Sequence, residues 1–133
     1  MKWRVLFFLL AYSFSALAQP AALDNYNITW TSQSQHSGES MPVGGGDIGL
    51  NVWVEKGDLY FYIARSGTFD ETNALLKLGR VKIRMTPNPF EGQEFRQQLI
   101  LKDGNCKIEG KNGNHSATIN IWVDVFRPVI HVD

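Results

Sequence analysis

Apolar and polar residues alternate along several short segments of the chain, and the apolar positions are rich in β-branched and aromatic residues. The clearest pair of segments is residues 48–54 and 59–64, which are separated by Lys56-Gly57. A two-residue turn that tolerates positive φ joins antiparallel strands in a fixed register, so Val54 is predicted to face Leu59. The pattern therefore predicts a β-hairpin at the centre of the chain.

The register of this hairpin divides its side chains between two faces. The aliphatic face is predicted to lie in the core and consists of Leu50, Val52, Val54, Leu59, Phe61 and Ile63. The other face presents Trp53, Tyr60 and Tyr62 beside Asn51. We expect such an aromatic face to be covered, either by a second sheet or neighbouring domain or by sugar rings that stack on it.

The segments around the hairpin have different patterns. Residues 26–30 alternate and predict a first strand, and residues 31–40 are almost wholly polar and predict a surface loop. Residues 65–79 predict a long connection, with a short helical turn at 72–78. Residues 80–85 alternate basic and apolar side chains, which predicts a strand with one solvated face.

The remainder of the chain predicts an antiparallel meander with two tight turns, at Asp103-Gly104 and Asn112-Gly113. These turns pair Leu101 with Cys106 and Leu99 with Ile108 in one hairpin, and Ile108 with Ala117 and Cys106 with Ile119 in the next. Residues 126–132 predict a last strand. The fold class predicted is all-β, an antiparallel β-sandwich of roughly seven to nine strands, one that can be incomplete at its C-terminus.

The first 18 residues predict a secretory signal peptide rather than part of the fold. Lys2 and Arg4 precede an apolar run, and Ala16-Leu17-Ala18 supplies the small-residue pattern at which signal peptidase cleaves, after Ala18. The uninterrupted apolar run is too short to span a membrane. We therefore expect residues 19–133 to form one mature domain that is periplasmic or extracellular, with no membrane span.

Composition and charge exclude several classes of function. The formal net charge is zero, which argues against binding nucleic acid or an anionic membrane surface. The single cysteine, Cys106, cannot form an internal disulfide, and its place in the meander predicts a buried structural thiol. The histidines His36, His115 and His131 are scattered without metal-ligand spacing. We expect no metal and no cofactor.

A glycine-rich segment precedes the central hairpin, with glycines at positions 44–46 and at Gly49. A phosphate-binding loop needs a helix after it, whereas here a strand follows, so nucleotide binding is disfavoured. The glycines are expected to allow a tight turn or the close approach of another surface. Asp70 and Glu71 are adjacent carboxylates that we expect to cap the helical turn, and we predict no catalytic residue.

The motifs of this region resemble a known family. Pro-Val-Gly-Gly-Gly-Asp-Ile-Gly at 42–49, the hairpin, and Ser-Gly-Thr-Phe-Asp-Glu at 66–71 resemble the N-terminal domain of family 95-like glycoside hydrolases. The sequence is most similar to the bacterial N-terminal domain of unknown function number 5703, which occurs in exported proteins of the six-hairpin glycosidase type. Segments 26–30, 40–70 and 76–89 fit it, so the resemblance extends over nearly the whole mature chain.

The resemblance implies a β-sandwich that precedes an (α/α)6 barrel, in which the barrel contains the catalytic acid and base. No residue here corresponds to them, so a truncated or detached accessory domain is implied. Residues implied to face the barrel or substrate are Gly44, Gly45, Gly46, Asp47, Arg65, Ser66, Thr68 and Asp70. Two alternatives remain: a free-standing carbohydrate-binding module that uses Trp53, Tyr60 and Tyr62, and an inactive fragment.

Overall fold

The computed structural model describes residues 21–133, so the predicted signal peptide and its cleavage site lie outside the described residues. The described residues form nine strands and two short 3-10 helices, Ala21–Tyr26 and Pro89–Glu91. The strands are β1 (Ile28–Trp30), β2 (Met41–Gly45), β3 (Ile48–Glu55), β4 (Asp58–Phe69), β5 (Leu75–Ile83), β6 (Glu94–Ile100), β7 (Asn105–Asn112), β8 (His115–Val123) and β9 (Ile130–Val132). Within this part of the chain, no helix is long and apolar enough to cross a membrane.

The strands form two antiparallel sheets, which confirms the predicted sandwich. One sheet has the order β1-β6-β7-β8-β9 and the other β2-β3-β4-β5. Both contribute inward side chains to a single core. The fully buried apolar members are Met41, Val52, Val54, Leu59, Phe90, Cys106, Ile108 and Ile121. The face predicted for the central hairpin is therefore the core face of the smaller sheet.

The register of the central hairpin is the one predicted. Val54 pairs with Leu59 and Asn51 with Tyr62. Lys56 and Gly57 both have positive φ, 51° and 81°, which is the conformation that a two-residue turn between twisted strands requires. This local chemistry fixes which side chains of β3 and β4 reach the core.

On the flanks of the hairpin, strand β2 was not predicted and the helical turn at 72–78 is wrong, whereas the glycines do allow the expected tight turn, at Gly46, and the expected close approach, at Gly45. The glycine-rich segment is a strand, β2, whose residues 41–45 pair with β3, so only Gly46 and Asp47 form the turn. Residues 65–79 contain no helical turn, because β4 runs on to Phe69 and β5 begins at Leu75. Asp70 was expected to cap this helical turn and lies instead in the turn between β4 and β5.

The registers predicted for the meander are also wrong, each by two residues. Leu99 pairs with Cys106, and Ile108 pairs with Ile119. The first turn contains four residues, 101–104, instead of two, and Leu101 is exposed in it. A shift of two residues keeps each side chain on its original face, so Cys106 is buried as predicted.

The core contains one polar side chain from strand β6 that the sequence did not predict. Gln97 of β6 is fully buried, and its Nε2 donates a hydrogen bond of 3.1 Å to the carbonyl oxygen of Val52 in the opposite sheet. A buried amide without a partner would cost about 1–3 kcal/mol. This bond therefore helps to fix how the two sheets lie on each other.

The thiol of Cys106 is expected to be inert in the folded protein. It is fully buried, and burial raises its pKa to about 12, so almost no thiolate is present at pH 8. Iodoacetamide labelling followed by mass spectrometry should show less than about a tenth of the rate seen in 6 M guanidinium. Stoichiometric labelling of the native protein at the denatured rate would contradict this burial.

Candidate functional site

The turn between β2 and β3 is hydrogen-bonded to β4 at the residues where β4 extends beyond the sandwich. Gly46 adopts a φ of 58°, which allows a two-residue turn, and the carboxylate of Asp47 accepts a 2.6 Å bond from Arg65 Nε. The backbone carbonyl of Asp47 also accepts a hydrogen bond of 2.8 Å from the amide of Ser66. Four of the predicted site residues therefore lie together at one end of the molecule.

The loop that connects β8 to β9, residues 124–129, packs on the same turn. A Cβ atom at Gly46 would lie 3.0 Å from the carbonyl oxygen of Val125 in this loop. One at Gly45 would lie 2.6 Å from the carbonyl oxygen of Val123 at the end of β8, so only glycine allows that approach. The carboxylate of Asp124 accepts hydrogen bonds from the amide of Phe126 and from Arg127, which lower its pKa. A cavity of about 290 Å³ lies between the turn and the loop.

Beyond Arg65, the end of β4 and the start of β5 form an extension of the sheet. We call this extension, residues 66–78, the arm. Its strands pair irregularly, with Phe69 opposite Leu75. At its tip, the carboxylate of Asp70 accepts bonds of 2.9 Å from the amide of Ala74 and 2.8 Å from the amide and hydroxyl of Thr72. These bonds lower the pKa of Asp70, whose role is to shape the turn.

The base of the arm is held by a second hydroxyl, since Thr68 Oγ1 donates a bond of 2.6 Å to the carbonyl of Arg65. The arm and the adjacent loop expose large apolar side chains: Phe69, Leu75, Leu76, Leu78, Val125 and Phe126. Phe126 is 95% exposed and Leu75 58%. We call this set the apolar end. The three leucines at 75–78 were the sequence signal for the apolar end, but their exposure was not predicted because they were placed in a helical turn.

The aromatic residues of the hairpin lie elsewhere, on the outer face of the smaller sheet. The ring of Trp53 stacks on Tyr60 at 5.2 Å between centroids and contacts Tyr62 at 5.0 Å. Lys77 Nζ lies 3.8 Å from the centre of the Tyr62 ring. Trp53 is only 2% exposed, and the rings of Tyr60 and Tyr62 and the cations of β5 lie over this face, a cover that the sequence did not predict. We call the three rings of Trp53, Tyr60 and Tyr62 the aromatic ladder.

Below the ladder, Asp58 is a buried carboxylate with two cationic partners. It is 3% exposed and accepts bonds of 2.7 and 2.8 Å from Arg84 and of 2.7 Å from Lys82. The bonds from Arg84, and then those from Lys82, hold the pKa of Asp58 far below its ordinary value of 3.8. The predicted solvated basic face of β5 is thus partly engaged in ion pairing.

The electrostatics of these carboxylates suit binding and positioning. A glycosidase general acid needs a raised pKa, whereas the pKa values of Asp58, Asp70 and Asp124 are all lowered. Within residues 21–133, no group of three or more His, Cys, Asp or Glu side chains could hold a metal ion. What the arrangement offers is a set of exposed apolar side chains at one end and a cationic, aromatic face on one side.

These features define the chain as a β-sandwich domain with exposed apolar side chains at one end. Residues 29–133 match the family described as Domain of unknown function (DUF5703), and the chain belongs to this family. No curated protein and no solved structure matches the chain.

Proposed function

We propose that this chain is the non-catalytic N-terminal domain of an exported glycoside hydrolase of the family 95-like type. In this proposal the apolar end packs against a catalytic (α/α)6 barrel and helps to shape its substrate site. The observation that supports the proposal most strongly is the exposure of the apolar end. A patch of large apolar side chains beside charged groups is typical of a surface that contacts another protein surface.

The geometry around the apolar end supports a docking role. Asp47 and Arg65 fix the base of the arm, and Asp124 fixes the loop that presents Phe126. Each large apolar side chain that becomes fully buried contributes about 1.5–3 kcal/mol, so the apolar end supplies enough favourable free energy to hold a neighbouring domain. The loop and the arm base are prearranged, which lowers the entropic cost of docking.

A free-standing module that stacks sugars on the ladder has weaker support. Such a module needs exposed ring faces, whereas the faces of Trp53 and Tyr60 are in contact with each other and Lys77 lies over Tyr62. A neutral sugar would have to displace these contacts before it could stack. The aromatic ladder therefore favours a role other than neutral-sugar stacking.

The proposal predicts that residues 19–133 alone release no sugar from aryl glycosides, whereas the product of the whole reading frame does. In that longer product, the double variant Phe69→Ser/Leu75→Ser should lower the melting temperature by several degrees, because two apolar contacts with the barrel are lost. Calorimetry and an aryl-glycoside assay check both expectations.

Leu101→Ser is the matched control, because Leu101 is also exposed but lies in the β6–β7 turn, away from the arm. It should leave the melting temperature of the longer product unchanged. Sugar release by residues 19–133 alone would overturn the proposal. A reading frame that encodes no helical barrel after residue 133 would overturn it as well, as would equal shifts for the arm and control variants.

A further inference from the structure

We propose that the aromatic ladder, together with Lys77 and Arg80, binds an anionic saccharide, one that bears carboxylate or sulfate groups. This inference rests on the proposed function for the choice of a sugar, and adds to it the charge of that sugar. The ladder lies on the outer face of the smaller sheet, and the residues proposed to dock the barrel are those of the apolar end. The two proposals therefore depend on different side chains.

The face that contains the aromatic ladder is rich in cationic side chains. Strand β5 and the residue after it supply four cations to this face, Lys77, Arg80, Lys82 and Arg84. Lys82 and Arg84 share one carboxylate, that of Asp58. Among the residues that the structure describes, Lys77 and Arg80 form no ion pair with any acidic side chain. The face thus has a positive surplus, although the formal net charge of the chain is zero.

Both cations without an ion pair lie over aromatic rings. Lys77 Nζ lies 3.8 Å from the centre of the Tyr62 ring, and Arg80 Cζ lies 5.5 Å from the centre of the Tyr60 ring. A cation within about 6 Å of an aromatic ring is attracted to its face. An anion that binds here breaks no existing ion pair, and less side-chain freedom is lost when it does.

The chemistry of this face favours anionic over neutral sugars. Because the ring faces are in contact with neighbours, they do not offer a stacking platform, and recognition must come from polar groups. A guanidinium such as that of Arg80 can bind a carboxylate or sulfate with two parallel hydrogen bonds, and a lysine ammonium adds a point charge. Tyr62, which is partly exposed, contributes a hydroxyl that can bind a sugar hydroxyl, whereas the hydroxyl of Tyr60 already donates a hydrogen bond of 3.4 Å to Asp58. A neutral glycan can bind a tyrosine hydroxyl but has no anionic group for Arg80 and Lys77.

The experiment measures binding of purified residues 19–133 to polygalacturonate, chondroitin sulfate, dextran and poly-L-glutamate by affinity electrophoresis and calorimetry. We expect binding to one or both acidic polysaccharides, weakened at about 0.5 M salt because the contact is electrostatic and exposed. We expect none to dextran. Equal binding to dextran would overturn the anionic requirement, and equal binding to poly-L-glutamate would overturn the choice of a sugar.

The double variant Lys77→Ala/Arg80→Ala should lower the affinity at least tenfold. The control Lys102→Ala/Arg96→Ala removes the same two charges from exposed positions on β6 and the turn that follows it, and it should leave the affinity within about twofold. Circular dichroism and thermal unfolding verify that both proteins fold. An equal loss in both variants, or no binding by the unmodified protein, would overturn this inference and leave the test on Phe69 and Leu75 unaffected.

Discussion

Gly45→Ala is expected to destabilise the domain by about 2 kcal/mol or more, the range of an overpacked contact that the backbone must relieve. A Cβ atom at this position would lie 2.6 Å from the carbonyl oxygen of Val123 in the opposite sheet. Since the obstacle is backbone, no rotamer change removes it. Urea unfolding followed by tryptophan fluorescence should show a lower midpoint, with a fall in melting temperature of about 4–8 °C per kcal/mol.

Gly49→Ala supplies the matched control, because Gly49 lies in the same β2–β3 hairpin and a Cβ atom added there would have nothing within 4 Å. The unfolding free energy of this variant should change by less than about 0.5 kcal/mol, or rise slightly, since alanine lowers the entropy of the unfolded chain. Equal midpoints for the two variants would show that the sheets do not approach each other closely at Gly45.

The contrast between the two hairpin regions shows how much of this fold local sequence can predict. The register of β3 and β4 was predictable because Lys56-Gly57 forms a turn of two residues and nothing longer competes. At Asp103-Gly104 the same kind of signal lies inside a four-residue turn, whose length depends on how β6 and β7 pack. The predicted core face of β6 and β7 is nevertheless correct, because side chains on a strand return to the same face every two residues.

The candidate site was harder to predict than the core. The predicted register already places Ile48 opposite Arg65 on the neighbouring strand, but the ion pair between Asp47 and Arg65 also depends on the turn between β2 and β3, and β2 was not predicted. Phe126 joins this region only through packing of the β8–β9 loop, which is distant in sequence. The rings of Tyr60 and Tyr62 contact Trp53 on the face that was predicted, whereas the cations of β5 lie over these two tyrosines in a register that could not be predicted, because the long connection was expected to interrupt the pairing.

Asp58→Asn is expected to cost about 1.5–3 kcal/mol at pH 7, the range for a lost hydrogen bond to a charged group. The asparagine amide would keep the volume of the side chain but not the charge that Arg84 and Lys82 bind. The side chains of Arg84 and Lys82 are 65% and 44% exposed, so they can be hydrated again, and the loss is smaller than for a fully buried pair. Urea unfolding at pH 7 measures it.

The same carboxylate predicts a dependence on pH. Its folded-state pKa is lowered below the ordinary value of 3.8, so its contribution to stability is fully present above about pH 5. It is lost progressively as the pH falls through 3.8 toward the folded-state pKa, because the unfolded chain then binds the proton more readily. Unfolding free energies measured from about pH 6 to about pH 2 should therefore fall more steeply for the unmodified protein than for Asp58→Asn.

Asp103→Asn is the control for this profile, because Asp103 is exposed in the β6–β7 turn and forms no ion pair with any described residue. Its unfolding free energy should follow that of the unmodified protein at each pH. The curves of the Asp58→Asn variant and the unmodified protein should converge at the acid end, where Asp58 begins to be protonated in both states. Parallel curves would show that Asp58 does not depend on Arg84 and Lys82 for its charge.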